Sequence, residues 1–284
     1  MSWLTQIKGW VLDVDGCLVR TSRPGGAGGN AVPGAVEFVT ALKQAGHRVL
    51  VCTNASERPP LVYADHLREL GFPITDEDFV TAGSAGADHI AAHHPGAAVV
   101  AVGGDGITWP LLERGLSLCD GRTPQECAAV LVGAAPAYSR DQLNAACVAV
   151  EAGATLYVSQ DQPWFHGGVG RSIAVSAVIA AAISWATKAD ALVTGKPSPV
   201  LAEALLQRLG LPADRTVVIG DALAEIALAK AMGARCVAVL SGALRIDQIA
   251  DLGPELRPDV VVTDVAELHQ QLTSHSTPIP GVLS

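Results

Sequence analysis

A chain of 284 residues, 49% hydrophobic and 17% charged, is too apolar for the disordered class and long enough to bury a sizeable core. Its formal net charge of −9 argues against a nucleic-acid or anionic-membrane partner, so an anionic substrate needs a locally positive site. Residues 1–8 carry no signal-peptide apolar segment, which makes the cytoplasm the expected location. Six cysteines without Cys-x-x-Cys spacing are expected to be reduced thiols.

The first predicted strand lies within Gly-Trp-Val-Leu-Asp-Val-Asp-Gly-Cys-Leu, residues 9–18. Strand residues two apart share a face, so Asp13 and Asp15 emerge together, Val14 packs, and Gly16 permits a sharp turn. Two acids held that close need a cation or a reacting group to offset their repulsion. The glycine-rich loop 20–31 has no Gly-x-Gly-x-x-Gly register, which rejects a dinucleotide site there. Pro33 is expected to open a helix stopped at Gly46, and strand 47–52 then leads into Thr53-Asn54-Ala55-Ser56. Pro59-Pro60 opens the next helix, and Ser84 is expected to cap a helix running to His94.

A new series follows, with strands 97–102, 128–132 and 155–159 alternating with helices near 107–114 and 139–152. Ser139 and Gln142 form a capping box. The apolar run 173–186 is shorter than a membrane span and reads as a buried helix. From Lys188 the first pattern returns with strand 191–194, Gly-Lys-Pro-Ser-Pro at 195–199, and strand 216–219 followed by Gly220-Asp221. Strands 235–239 and 259–262, a last helix capped by Asp264 with Glu267, and a frayed tail from Ser274 complete the chain. The alternation predicts a doubly wound α/β fold with a parallel sheet and right-handed crossovers. Residues 1–83 and 188–284 form the core, and residues 84–187 an inserted α/β cap.

Ligands of open parallel sheets bind at the carboxyl ends of the strands. Four predicted strand mouths carry Asp13 with Asp15, Thr53 with Asn54, Lys196, and Asp221. Such a set supplies two carboxylates for a divalent ion, one carboxylate for acid/base work, donors for phosphate oxygens, and an ammonium. Magnesium takes one or two carboxylates plus phosphate and water, and a carboxylate nucleophile can form an aspartyl-phosphate.

In their order, Asp-Val-Asp-Gly, Thr-Asn-Ala-Ser, Gly-Lys-Pro-Ser-Pro and Gly-Asp resemble the haloacid dehalogenase (HAD) superfamily. More narrowly the chain resembles its NagD-like phosphatases with a large α/β cap, over nearly its whole length. The resemblance implies that Asp13 attacks phosphorus and that Asp15 protonates the leaving oxygen, later activates water, and lends its backbone carbonyl to Mg2+. Asp221 is then a further metal ligand, Thr53 and Asn54 hold phosphoryl oxygens, and Lys196 offsets charge. It also implies a small phosphorylated metabolite as substrate and a cap-mediated homodimer.

Departures from that pattern are Cys17 in place of Thr, Glu225 four residues after Asp221 where a Thr-Asp pair one residue farther on is common, and Gly133-Ala134-Ala135-Pro136 without Asp-Arg. Ser159-Gln160-Asp161 replaces Asn-x-Asp and runs into Pro163-Trp164-Phe165-His166. Asp161, Trp164 and His166 are the candidates for substrate specificity, because loops on a rigid scaffold carry it. His89 and His93, one helical turn apart, are expected on a solvated face. Rival readings are a phosphomutase, which would return phosphate to its substrate, and a catalytically silent binding protein on the same fold. A signalling receiver has no need of the insertion.

Overall fold

The computed structural model describes residues 2–21, 23–119, 122–166 and 171–276. All five residues of β1 (Gly9–Asp13) are buried, because the strand runs at the centre of a six-stranded parallel sheet covered on both faces. Successive side chains feed opposite cores: Trp10 and Leu12 pack with Phe38, Val39 and Phe79, whereas Val11 packs with Leu50, Leu205 and Ile226. Beyond β1, β2 (Val19–Arg20) pairs antiparallel with β3 (Asn30–Ala31), so the glycine-rich loop is the tip of a small flap. Helix α1 (Ala35–Gln44) starts two residues after Pro33, with Gly34 as its N-cap at φ 79°. β4 (Arg48–Thr53) lies beside β1, and α2 (Pro60–Glu69) leads to an unforeseen edge strand, β5 (Phe79–Thr81). Three residues are too few to show a period.

Thr81 caps α3 (Ala82–His93) by accepting the Ser84 N–H at 3.0 Å, which makes Ser84 the third helical residue and not the cap. There follow β6 (Ala98–Val102), α4 (Asp105–Glu113), β7 (Ser117–Leu118), β8 (Ala129–Val132), α5 (Arg140–Glu151) and β9 (Thr155–Val158). The Ser139 cap of α5 forms as expected, with the Gln142 N–H donating to Ser139 Oγ at 3.1 Å. A hairpin of β10 (Trp164–His166) and β11 (Arg171–Ile173) precedes α6 (Val175–Thr187) and β12 (Leu192–Val193). The second sheet runs β12-β9-β8-β6-β7.

Two expectations change here. Strand 191–194 was expected in the first sheet, yet β12 pairs with β9, so the second sheet extends past Lys188. A two-residue strand carries no preference of its own, and its register with Tyr157 and Val158 decides its place. Helix α6 begins at Val175, Ile173 belongs to β11, and only one face is buried. Ser176, Ala177, Ala180 and Ile183 turn inward, while Val178 and Trp185 are 45% and 77% exposed. An alanine-rich run has no polar stripe to reveal its open side.

The chain then returns to the first sheet through α7 (Pro199–Leu209), β13 (Thr216–Gly220), α8 (Leu223–Met232), β14 (Arg235–Val239), α9 (Ile246–Ala250), β15 (Val260–Val262) and α10 (Val265–Ser276). The spatial order is β15-β14-β13-β1-β4-β5. Asp264 caps α10 by accepting the Glu267 N–H at 2.9 Å, but the Glu267 carboxylate reaches Thr263 instead of closing the box. Helix α10 includes Ser274, and the expected frayed tail beyond Ser276 lies outside the described residues. All six cysteines are free thiols. Among the described residues no helix is long and apolar enough to cross a membrane.

Candidate active site

Strand register brings the predicted residues to one mouth. Asp13 is level with Cys52 of β4, so Thr53 stands one step beyond, and Leu12 is level with Ile219, two residues before Asp221. Lys196 enters from the loop between β12 and α7. Its ammonium, 4% exposed, pairs with Asp13 and with Glu225 Oε1 at 2.7 Å. The other Glu225 oxygen accepts the Ala222 N–H at 3.0 Å, which locks the carboxylate to the first turn of α8.

Asn54 has a different task from the expected one. Its Oδ1 accepts the Lys196 N–H at 2.7 Å and its Nδ2 donates to the Lys196 carbonyl at 3.2 Å, so the amide brackets the lysine backbone. The Thr53 hydroxyl donates to Asp15 Oδ2 at 3.2 Å and accepts the Ala55 N–H at 3.1 Å. The flap completes this arrangement, because the N–H groups of Gly25 and Gly26 donate to the two Asp15 oxygens at 2.9 and 2.7 Å. Asp221 accepts the Ala243 N–H at 2.6 Å and faces Gly16. Gly16 has φ +92°, and a Cβ there would overlap the Asp221 carboxylate, so glycine serves both the turn and the close approach.

Four buried carboxyl groups, those of Asp13, Asp15, Asp221 and Glu225, therefore meet one buried ammonium. Burial pushes Asp13 well above the usual carboxylate range, and Glu225, Asp221 and Asp15 push the same way against the pull of Lys196. Burial also raises Asp15, opposed by the Gly25 and Gly26 N–H groups. Asp221 is pushed up to about 7 by burial and then by Glu225. The carboxylates around Lys196 hold it well above its ordinary value, although burial alone would lower it. Such an excess of acid is relieved by a cation, and oxygen-only donors suit magnesium. Among the described residues no three His, Cys, Asp or Glu side chains are arranged as a ligand group. Asp13 and Asp221, together with backbone and substrate oxygens and water, thus fit a divalent ion better than a purely side-chain cage does.

These residues open onto a cavity of about 450 Å³. Its lining also includes Gln160 and Gln162 of the loop after β9, Trp164, Phe165 and Ile173 of the β10–β11 hairpin, and Ser176 of α6. Trp164 is thus at the cavity, with the Arg171 guanidinium 4.3 Å from its ring centre on the hairpin. Asp161 is not. It is exposed and accepts from Gln162 Nε2 at 3.1 Å, while its neighbours Gln160 and Gln162 border the cavity. The His166 side chain lies outside the described residues. His89 and His93 stack at 4.0 Å, and His93 Nδ1 bonds the His89 carbonyl.

The comparisons with known proteins agree with this geometry. The haloacid dehalogenase-like hydrolase profile matches residues 10–117, and a second HAD-like hydrolase profile matches residues 193–268. Chronophin from Homo sapiens is 30% identical over 287 aligned residues, spanning 95% of this chain and 94% of that protein. The chain belongs to the haloacid dehalogenase-like hydrolases. This HAD hydrolase is also similar to acid sugar phosphatase from Staphylococcus aureus, with 28% identity over 77% of this chain and 80% of that protein. The glycerol phosphate phosphatase of Mycobacterium tuberculosis, solved with magnesium, superposes with a TM-score of 0.82 at 29% identity. That alignment covers 98% of this HAD hydrolase and 82% of the solved chain. Such relatives place it in the NagD-like phosphatase branch.

Three features of the site were not foreseen. The flap glycines were visible as Pro24-Gly25-Gly26, but nothing local says that their N–H groups reach Asp15. Glu225 carried a signal, an acid one turn into the helix after Gly220-Asp221, without its partner. Ser56, buried at 2% exposure, bonds Ser159 Oγ and the Ala134 N–H at 3.0 Å each, tying the loop after Thr53 to the second sheet.

Proposed function

We propose that this HAD hydrolase is a magnesium-dependent phosphatase that hydrolyses small phosphate monoesters through a phosphoryl group carried on Asp13. One observation carries the reading: the buried array of Asp13, Lys196 and Glu225 beside Asp221, lining a cavity that also takes in Trp164 and Phe165 of the hairpin. An Asp13 carboxylate oxygen attacks phosphorus as the bond to the alcohol oxygen breaks. Asp15, oriented by Gly25, Gly26 and Thr53, gives that oxygen a proton. The Asp15 carboxylate then takes a proton from the water that displaces phosphate from Asp13. Lys196, fixed by Asn54 and Glu225, offsets charge on Asp13 and the phosphoryl oxygens. Asp13, Asp221 and the Asp15 carbonyl would hold magnesium, which would supply the remaining neutralisation of phosphoryl charge.

A cavity of about 450 Å³ suits a metabolite-sized ester, in keeping with relatives named for sugar and glycerol phosphates. Trp164 contributes to the choice of alcohol. The test is release of inorganic phosphate from a panel of metabolite phosphates with magnesium. Chelation should abolish release and added magnesium restore it. Asp13→Asn should lower turnover by roughly a thousandfold or more; full turnover in that variant sinks the mechanism.

A further inference from the structure

Ser176 is the second residue of α6 and borders the active-site cavity, yet the catalytic steps above make no use of it. Its residue exposure is 0%, and its hydroxyl has no hydrogen-bond partner among the described residues. A buried hydroxyl left unpaired is costly, and natural sequences keep one where a ligand or water completes it. Replacing Ser with Ala at this point would cost the helix nothing, since alanine is the better helix former. The polar group is therefore unexplained by folding alone.

A second observation comes from the helix end. Ala174 is the N-cap of α6 and provides no side-chain cap of the kind that Thr81, Ser139 and Ser198 supply to α3, α5 and α7; the Ala177 N–H turns to the Ala174 carbonyl at 3.1 Å instead, which leaves the N–H groups of Val175 and Ser176 as the uncapped donors of the first turn. Ala174, Val175 and Ser176 all border the cavity. An uncapped first turn of a 13-residue helix favours an acceptor oxygen, and the adjoining hydroxyl adds a donor of adjustable direction. Trp164, Phe165 and Ile173 border the same cavity and offer apolar surface. Lys196 is the only cationic side chain among the described lining residues, and Asp13 and Glu225 already engage it.

We propose that Ser176 and the uncapped first turn of α6 form a leaving-group subsite that receives a hydrogen-bond-accepting oxygen on the alcohol half of the substrate. This deepens, and rests on, the phosphatase reading. The substrate class is a phosphate monoester whose alcohol combines an apolar body, laid against Trp164 and Phe165, with a carbonyl or hydroxyl oxygen at the far end. Ser176 is a specificity residue that touches the part of the substrate that leaves.

Two matched pairs of esters test it: 4-acetylphenyl phosphate against 4-ethylphenyl phosphate, and dihydroxyacetone phosphate against propyl phosphate. Affinities are measured by calorimetry with magnesium in the Asp13→Asn protein, where binding is read without turnover, and kcat/KM is measured in the parent protein. The oxygen-bearing member of at least one pair should bind more tightly, by roughly tenfold, the scale set by leaving a buried polar partner unpaired. Ser176→Ala should collapse that ratio toward one while leaving the oxygen-free esters within about twofold. An unchanged ratio, or an equal loss on both members of each pair, overturns the subsite. If the ratio depends on Ser176 but no ester releases phosphate in the parent protein, the subsite stands and the phosphatase reading falls.

Discussion

The two parallel sheets of this HAD hydrolase have the same construction and opposite uses. At the mouth of the first sheet the strand ends deliver Asp13, Thr53 and Asp221, buried charges and donors. Strands β6, β8, β9 and β12 of the second sheet are followed directly by Gly103, Gly133, Ser159 and Thr194, small residues that let backbone come close. Gly106 shows why: a Cβ there would overlap the Ser56 carbonyl and the Arg58 backbone, while Ser56 bonds Ser159 and Ala134. One mouth is polar enough to do chemistry, and the other is bare enough to seat the loop that follows Thr53. Architecture alone does not make a site; the residues at the strand ends do.

The largest effect should come from Lys196→Met. It strands Asp13 and Glu225 in the interior, so stability should fall by about 3–5 kcal/mol in denaturant unfolding. Phosphate release should fall by roughly a hundredfold or more. Glu225→Gln keeps the shape and leaves Asp13 as partner, so a milder loss, roughly tenfold in kcat with KM little changed, is expected. Equal losses in the two variants would contradict the shared-ammonium arrangement.

Gly106→Val probes the second mouth. The clash with the Ser56 and Arg58 backbone should cost about 1–3 kcal/mol, and the displaced loop should raise KM more than it lowers kcat. A variant with unaltered KM would show that the second sheet merely covers the first. Trp164→Ala, at a half-exposed position, should change stability by less than about 0.5 kcal/mol yet reorder preference among phosphate esters. An unchanged order would remove Trp164 from substrate choice.

The smallest effect lies far from both mouths. Burial, and then the charge on Lys8, lower His47 from its ordinary value of 6.5. The folded protein thus binds the proton less readily than the unfolded chain. Above pH 6.5 both states are neutral there and stability is unaffected; as pH falls through and below 6.5, the unfolded state gains. His47→Gln should accordingly lose less in Tm than the parent between pH 7 and 5, and parallel Tm profiles would refute this.

Much of this was written locally. Asp13 and Asp15 share a strand face because side chains alternate, Gly16 follows because the turn needs positive φ, and the Ser139 cap declares itself by its Gln142 partner. Some segments of two or three residues are illegible: β5, β10 and β11 are too short for a period, while β12 is expected as a strand but could join either sheet until β9 claims it. Asp161 is a candidate for substrate choice by sequence, but its neighbours Gln160 and Gln162 border the cavity and it does not.

The order of the four motifs determined the fold class, the family and the residues that meet at the mouth of the first sheet, since each depends on residue type and local spacing. What each side chain does once there was decided only by folding. Asn54 clamps the Lys196 backbone, Glu225 shares the Lys196 ammonium, and the flap glycines hold Asp15. Each of these joins residues ten to more than a hundred positions apart, and a hydrogen bond depends on distances of tenths of an ångström that no linear pattern encodes.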